Sequence, residues 1–207
     1  MSNTGKFRSA AIAALSVAAL GLAPGDAAGA AGCGALFDDF HYTSYTDGLL
    51  SQHGWQVRSG AGGPGVGGAR WAPEGITFPT SGGDKVLQLA SATDGTPAGT
   101  TQTEIMQPER RFFEGTYAAR IRFSDAPVSG PDGDRINQTF FTISPLRYDN
   151  DPIYSELDFS EYLPNGGWGE AGPVNFQTSW HTYTPDPWYA RTRAAASAAA
   201  STAGTPS

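Results

Sequence analysis

Three carboxylates crowd one six-residue stretch, Glu156-Leu157-Asp158-Phe159-Ser160-Glu161. Side chains alternate along a strand, so Glu156 and Asp158 share a face while Leu157 and Phe159 take the other. By that count Glu161 falls with Leu157 on the apolar side, where an unpaired carboxylate is costly. One extra residue at a β-bulge, most simply Ser160, turns Glu161 back toward the other two acids. The expected arrangement is an acid row outside with Leu157 and Phe159 inside. Two carboxylates about 5–5.5 Å apart across a sugar bond serve retaining glycoside hydrolysis, one as nucleophile and one as acid/base. Glu156 and Glu161 are further apart than that along the backbone, so their side chains must lean together over Asp158. Between them, Asp158 raises the proton affinity of its neighbours, Glu161 included, and is placed to hydrogen-bond the nucleophile. The same pattern also suits an acidic, solvent-facing strand with no chemistry.

The elements that would carry such a row follow from length and composition. The chain has 207 residues, with 27 glycines, 15 prolines, abundant aromatics and only 16% charged residues. That is enough for one sizeable domain of short strands and turns, and no segment past the N-terminus keeps a helical period. Strands are expected at Phe37–Phe40, Trp55–Val57, Ile76–Phe78 and Val86–Leu89, with a turn at Ser81-Gly82-Gly83-Asp84 and a loop over the glycine-rich 60–68. From Phe113 to Phe123 apolar and polar residues alternate, which predicts a long strand with one buried face. Further strands are expected at Gln138–Ile143, from Ile153 through the acid motif, and at Val174–Trp180, after a loop containing Pro131-Asp132-Gly133-Asp134. The fold class is all-β, a β-sandwich.

Several functions are disfavoured. The net charge of −7 argues against a nucleic-acid partner, because phosphate binding needs a basic face. His41, His53 and His181 are scattered and Cys33 is the lone thiol, so no zinc-ligand spacing exists. Neither a phosphate-cradling glycine loop nor a Gly-x-Ser-x-Gly elbow is present.

Residues 1–30 read as a secretory leader. Lys6 and Arg8 give a basic start, Ser9 to Ala23 an apolar run, and Ala28-Gly29-Ala30 a small-residue cleavage site. The expected product is a soluble extracellular protein with no membrane attachment once the leader is removed. Ala31-Gly32-Cys33 leaves lipid modification of Cys33 as the other reading. A single cysteine in an exported chain has no partner within it. After Tyr189 the composition turns to Ala, Ser, Thr, Arg and Gly, and residues 190–207 are expected to form a low-complexity tail, disordered or frayed as weak helix.

Four blocks occur in order: Thr103-Glu104-Ile105, Phe113 to Arg122, Gln138-Thr139-Phe140-Phe141 and Glu156 to Glu161. Together they resemble glycoside hydrolase family 16, the laminarinase and lichenase clan, over about Phe37 to Tyr189. Two residues between Asp158 and Glu161 resemble its laminarinase-like and marine-galactan branches more than the lichenase branch. The resemblance implies a concanavalin A-like jelly roll, spanning 33–189, whose concave sheet carries the active site. It implies Glu156 as nucleophile, Asp158 as its helper and Glu161 as acid/base. It also implies several more strands past Tyr189, so the domain is expected to be incomplete at its C-terminus and its hydrolase activity weak or absent.

Sugars bind to flat apolar surfaces with polar groups at the edges. Tyr162, Trp168, Trp180, Tyr183 and Trp188 crowd the region after the motif. Trp168, in a glycine-rich loop, is a candidate subsite platform; Trp180 suits either that role or the core. His181 is a candidate to hydrogen-bond a sugar or the acid/base, with a structural role as the alternative. Asn137-Gln138-Thr139 fits a glycosylation acceptor but enters an expected buried strand. No cofactor is expected, although the family resemblance makes Asp38 and Asp39 candidates for a structural calcium site. The expected partner is a polysaccharide, most simply a β-glucan cut internally by a monomer. A carbohydrate-binding sandwich without turnover, or an inactive fragment of a hydrolase, are the alternatives.

Overall fold

The computed structural model describes residues 8–16, 35–61, 65–109, 115–181 and 192–197. The chain is all-β. Among the described residues the only helical pieces are α1 (Gly48–Gln52) and a 3-10 turn at Pro73–Gly75. Two compact units divide the chain, 1–131 and 132–207, with the boundary in the loop at Pro131-Asp132.

In the first unit the strands are β1 (Arg8–Ser16), β2 (Gln56–Val57), β3 (Gly60–Ala61), β4 (Arg70–Trp71), β5 (Ile76–Thr77), β6 (Thr80–Ser81), β7 (Asp84–Lys85), β8 (Leu87–Thr93), β9 (Thr101–Gln102), β10 (Ile105–Met106) and β11 (Arg120–Arg122). One sheet runs β11-β1-β8-β9-β4-β3, with β5 also on β8, while β2 pairs with β10 and β6 with β7. β6 and β7 form the hairpin expected at Ser81–Asp84. Gly82 (φ 63°) and Gly83 (φ 94°) both take the left-handed region that a two-residue turn of matching twist requires. Phe40, Tyr42, Leu50, Ile76, Phe78 and Leu87 make the core, with Trp55, Val57, Leu89 and Ile105 packed around them.

Four expectations change here, the first being that Gly60–Ala61, at the start of the expected glycine-rich loop, is strand β3 paired with β4. Phe37–Phe40 is not a strand. The buried Asp38 carboxylate accepts the Phe40 N–H at 2.7 Å, the Trp55 Nε1–H at 2.7 Å and the Tyr42 hydroxyl. A side chain that captures its own backbone in this way competes with a ladder. The long strand from Phe113 is only three residues, Arg120–Arg122; Phe113 and Glu114 lie outside the described residues, and 115–119 are loop. Its described pairing with β1 runs from Ala14↔Arg122 to Ser16↔Arg120. Finally, Arg8–Ser16, inside the expected leader, is the strand between β8 and β11; Cys33 and the rest of 1–34 lie outside the described residues.

The second unit is an antiparallel sheet in the order β12 (Gln138–Ile143), β13 (Ser155–Leu163), β14 (Val174–His181) and β15 (Thr192–Ser197). β12 to β14 fall where alternation places them. β15 lies in the segment expected to form a low-complexity tail and pairs with β14 from Val174↔Ser197 to Ser179↔Thr192. Backbone pairing at a sheet edge asks little of small side chains, so an Ala-rich stretch serves. The remaining residues of 190–207, like Tyr183 and Trp188, lie outside the described residues. Leu163, Val174 and Phe176 form a small apolar core.

Candidate functional site

β13 carries the acid row, and a bulge gathers it. Against β12, Asp158 pairs with Phe141 and Ser160 with Phe140, leaving Phe159 unpaired. Against β14, the three-residue step from Asp158 to Glu161 faces the two-residue step from Thr178 to Phe176. The extra residue is therefore Phe159, not Ser160. Ser160 stays in the ladder because its hydroxyl donates to Asn175 Oδ1 at 2.7 Å, while the Phe159 ring packs on Phe140 with centroids 5.1 Å apart. Glu156, Asp158 and Glu161 share one face, as the alternation plus one residue requires.

Burial along the strand differs from expectation. Asp158 is 4% exposed and Leu157 is 40% exposed, so at this point the acid lies inside and the leucine outside. Leu157 stands between Thr142 and Ser179, which are too small to cover it. Asp158 lies under Trp180, whose Nε1–H donates to Asp158 Oδ2 at 2.9 Å.

Each acid has its own partners. Glu156 accepts a hydrogen bond from the Tyr154 hydroxyl and shares another with Asp158. Glu161 accepts from the Thr178 hydroxyl at 3.0 Å and faces the Asn137 amide at 3.4 Å. Burial pushes the Asp158 carboxyl up to about 7, with the charges of Glu161 and Glu156 adding to it and the Trp180 bond opposing. Burial also raises Glu156, against the hydrogen bonds from Tyr154 and Asp158. Asp158, so raised, is placed to share a proton with the Glu156 carboxylate it hydrogen-bonds. A half-buried carboxylate steadied by two donors is a competent nucleophile, and the third acid stands on the same face.

Aromatic rings bracket the row. Trp180 pairs with Glu156 across the β13–β14 ladder. At the other end Trp168 is 53% exposed and packs against Phe176, with ring centroids 5.2 Å apart; Phe176 itself pairs with Glu161. The loop that presents Trp168 turns on Gly166 (φ 71°), where an added Cβ would run into the backbone of Glu170. Asn165 ties it down by donating to Asp132 Oδ1 at 2.8 Å and to the Asp134 carbonyl at 3.1 Å. His181 pairs in register with Ser155 at the end of β14, and its side chain lies outside the described residues.

Asp38 and Asp39 do not suit a calcium ion. Donors already occupy both oxygens of Asp38, and Asp39 pairs with His41 at 2.9 Å. Among the described residues no three His, Cys, Asp or Glu side chains gather to hold a metal. Tyr154, Thr178 and Asn137 are the site residues that sequence reasoning missed. Tyr154 was within reach of it, since it lies two residues before Glu156 on the same face. Thr178 lies two before Trp180 on β14, but its contact with Glu161 depends on the bulge.

Comparisons with protein-family models, with curated proteins and with solved structures return no match.

Proposed function

We propose that this chain is an exported glycoside hydrolase that cuts internal β-glycosidic bonds of a polysaccharide, a β-glucan first, with retention at the anomeric carbon. The observation that carries the reading is a three-carboxylate row on one sheet face, with Asp158 hydrogen-bonded to Glu156 and an indole near each end. Glu156 attacks the anomeric carbon. Glu161 protonates the leaving oxygen and then activates water, and Asp158 donates its proton in a hydrogen bond that orients Glu156. Trp180 and Trp168 offer flat surfaces to the sugar rings on either side of the scissile bond. The resemblance to glycoside hydrolase family 16 supports the same roles for the same residues.

Release of reducing ends from laminarin, mixed-linkage glucan, agarose and carrageenan tests the reading. Glu156→Gln should lower turnover on the order of a thousandfold or more while leaving the melting curve in place. Product NMR should show the β-anomer first. Inverted product, or full activity in Glu156→Gln, defeats the assignment. Sugar binding without any turnover would make the sheet a carbohydrate-binding surface instead.

A further inference from the structure

Tyr154 stands outside the carboxylate row yet touches it. Its side chain is 5% exposed and its hydroxyl donates to Glu156 Oε2. The turn before β13 fixes where that hydroxyl sits. Asp151, fully buried, accepts from Arg147 through Nε at 2.7 Å and Nη2 at 2.5 Å, and from the Ile153 N–H at 3.1 Å. The Asp151 N–H donates to the Tyr148 carbonyl, and the Tyr154 N–H to the Asp151 carbonyl. A guanidinium-carboxylate fork and two backbone bonds thus close the turn, and Tyr154 leaves it with its ring already committed.

We infer that Tyr154 is a positioning residue for Glu156: its hydroxyl fixes one carboxylate oxygen and favours the charged form that the nucleophile needs. The role of Glu156 as nucleophile rests on the function proposed above; the hydrogen bond and its effect on Glu156 do not. The other groups facing Glu156 cannot replace this donor. Asp158 and Glu161 on its own strand are acids, and Asp158 already shares its hydrogen bond with Glu156. Across the ladders stand Trp180, whose N–H is spent on Asp158, and Ile143, which has no donor. On the next strand Arg193 is at the register position opposite Thr178, not opposite Glu156. A phenol also suits the task in a way a lysine does not. It donates to the carboxylate without adding a charge that would pull the proton off Asp158.

Tyr154→Phe removes the hydroxyl and keeps the ring. In protein carrying ¹³C-carboxyl glutamate, with the Glu156 signal assigned by its loss in Glu156→Gln, the Glu156 titration midpoint should rise by on the order of one pH unit. On any polysaccharide that is cleaved, kcat should fall about ten- to a hundredfold with KM nearly unchanged, and the acid limb of the pH profile should move up with the midpoint. An unmoved Glu156 midpoint in a folded Tyr154→Phe protein overturns the inference, whatever the activity. A raised midpoint in a protein whose unsubstituted form cleaves nothing supports it while removing the hydrolase reading. Should Tyr154→Phe not fold, the unsubstituted protein decides. A protected low-field phenolic proton on Tyr154, lost as Glu156 takes up its proton, supports the inference; a freely exchanging one overturns it.

Discussion

Asp158 is an acid whose folded environment prefers it neutral, and that preference has a thermodynamic consequence. Its carboxyl moves from the ordinary value of 3.8 to about 7, chiefly through burial, then through the charges of Glu161 and Glu156. Below about pH 4 folded and unfolded chains both keep the proton, so nothing is lost. Between about 4 and about 7 the folded chain keeps it while the unfolded chain releases it, so stability falls as pH rises through that window. The loss levels off above about 7 and is bounded by about 4 kcal/mol. Asp158→Asn keeps a donor for Glu156 and removes the titration. Urea unfolding at about pH 4.5 and about pH 7.5 should show a drop in the parent that is much reduced in Asp158→Asn. An equal drop in both proteins would mean that Asp158 is not the group responsible. The same proton bears on turnover, because above about pH 7 the Glu156 carboxylate loses one of its two donors and gains a charged neighbour.

Leaving Phe159 out of the ladder in β13 puts three acids on one face, so the bulge can be tested as an element. Deleting Phe159 restores strict alternation through Glu156-Leu157-Asp158-Ser160-Glu161 and leaves the three acids on one face with no bulge. The Asp158 midpoint should then stay raised, since the Glu161 charge that helps raise it remains on the same face. Phe159→Ala keeps the extra residue and loses only the ring packed on Phe140, a cost on the order of 1–3 kcal/mol, with the Asp158 midpoint retained. Carboxyl NMR checks both variants, and a raised midpoint lost in the deletion would show that the bulge geometry itself, and not the shared face, gathers the row. The need for a bulge was legible in the sequence, because Glu-x-Asp-x-x-Glu breaks the period of two. Its position was not, because Asn175 on the next strand and Phe140 on the previous one choose Phe159 over Ser160. β12, β13 and β14 were legible for the same reason: alternating or aromatic-rich runs bounded by turn residues. Phe37–Phe40 looked like a strand because local pattern cannot show that Asp38 collects donors from Tyr42 and Trp55. Leu157 looked buried because alternation gives its face but not the size of Thr142 and Ser179 beside it.

At the scale of the whole chain, a net charge of −7 and a row of acids favour a neutral polymer over a sulfated one. Cleavage of laminarin should therefore exceed cleavage of carrageenan, and added salt should narrow the gap by screening repulsion; preference for the sulfated polymer at low salt would reverse this ordering. The leader poses a sharper problem. A basic start, an apolar run and Ala28-Gly29-Ala30 call for export and removal of about thirty residues, yet Arg8–Ser16 occupies the sheet between β8 and β11. In register, Leu15 stands between Leu87 on one side and Ile121 on the other. Because β1 is antiparallel to both neighbours, β8 and β11 run parallel to each other, and its departure exposes an edge on each. Mass spectrometry of culture supernatant should find a mature N-terminus between Ala28 and Cys33, and an intact Met1 would show that the segment is retained as a strand. With the leader gone, amide exchange in Leu87–Thr93 and Arg120–Arg122 should be faster than in a full-length preparation, because hydrogen bonds that β1 supplied are replaced by water. Equal protection in the two forms would show that the exported chain closes the sheet without β1, leaving the leader free to act as an address alone.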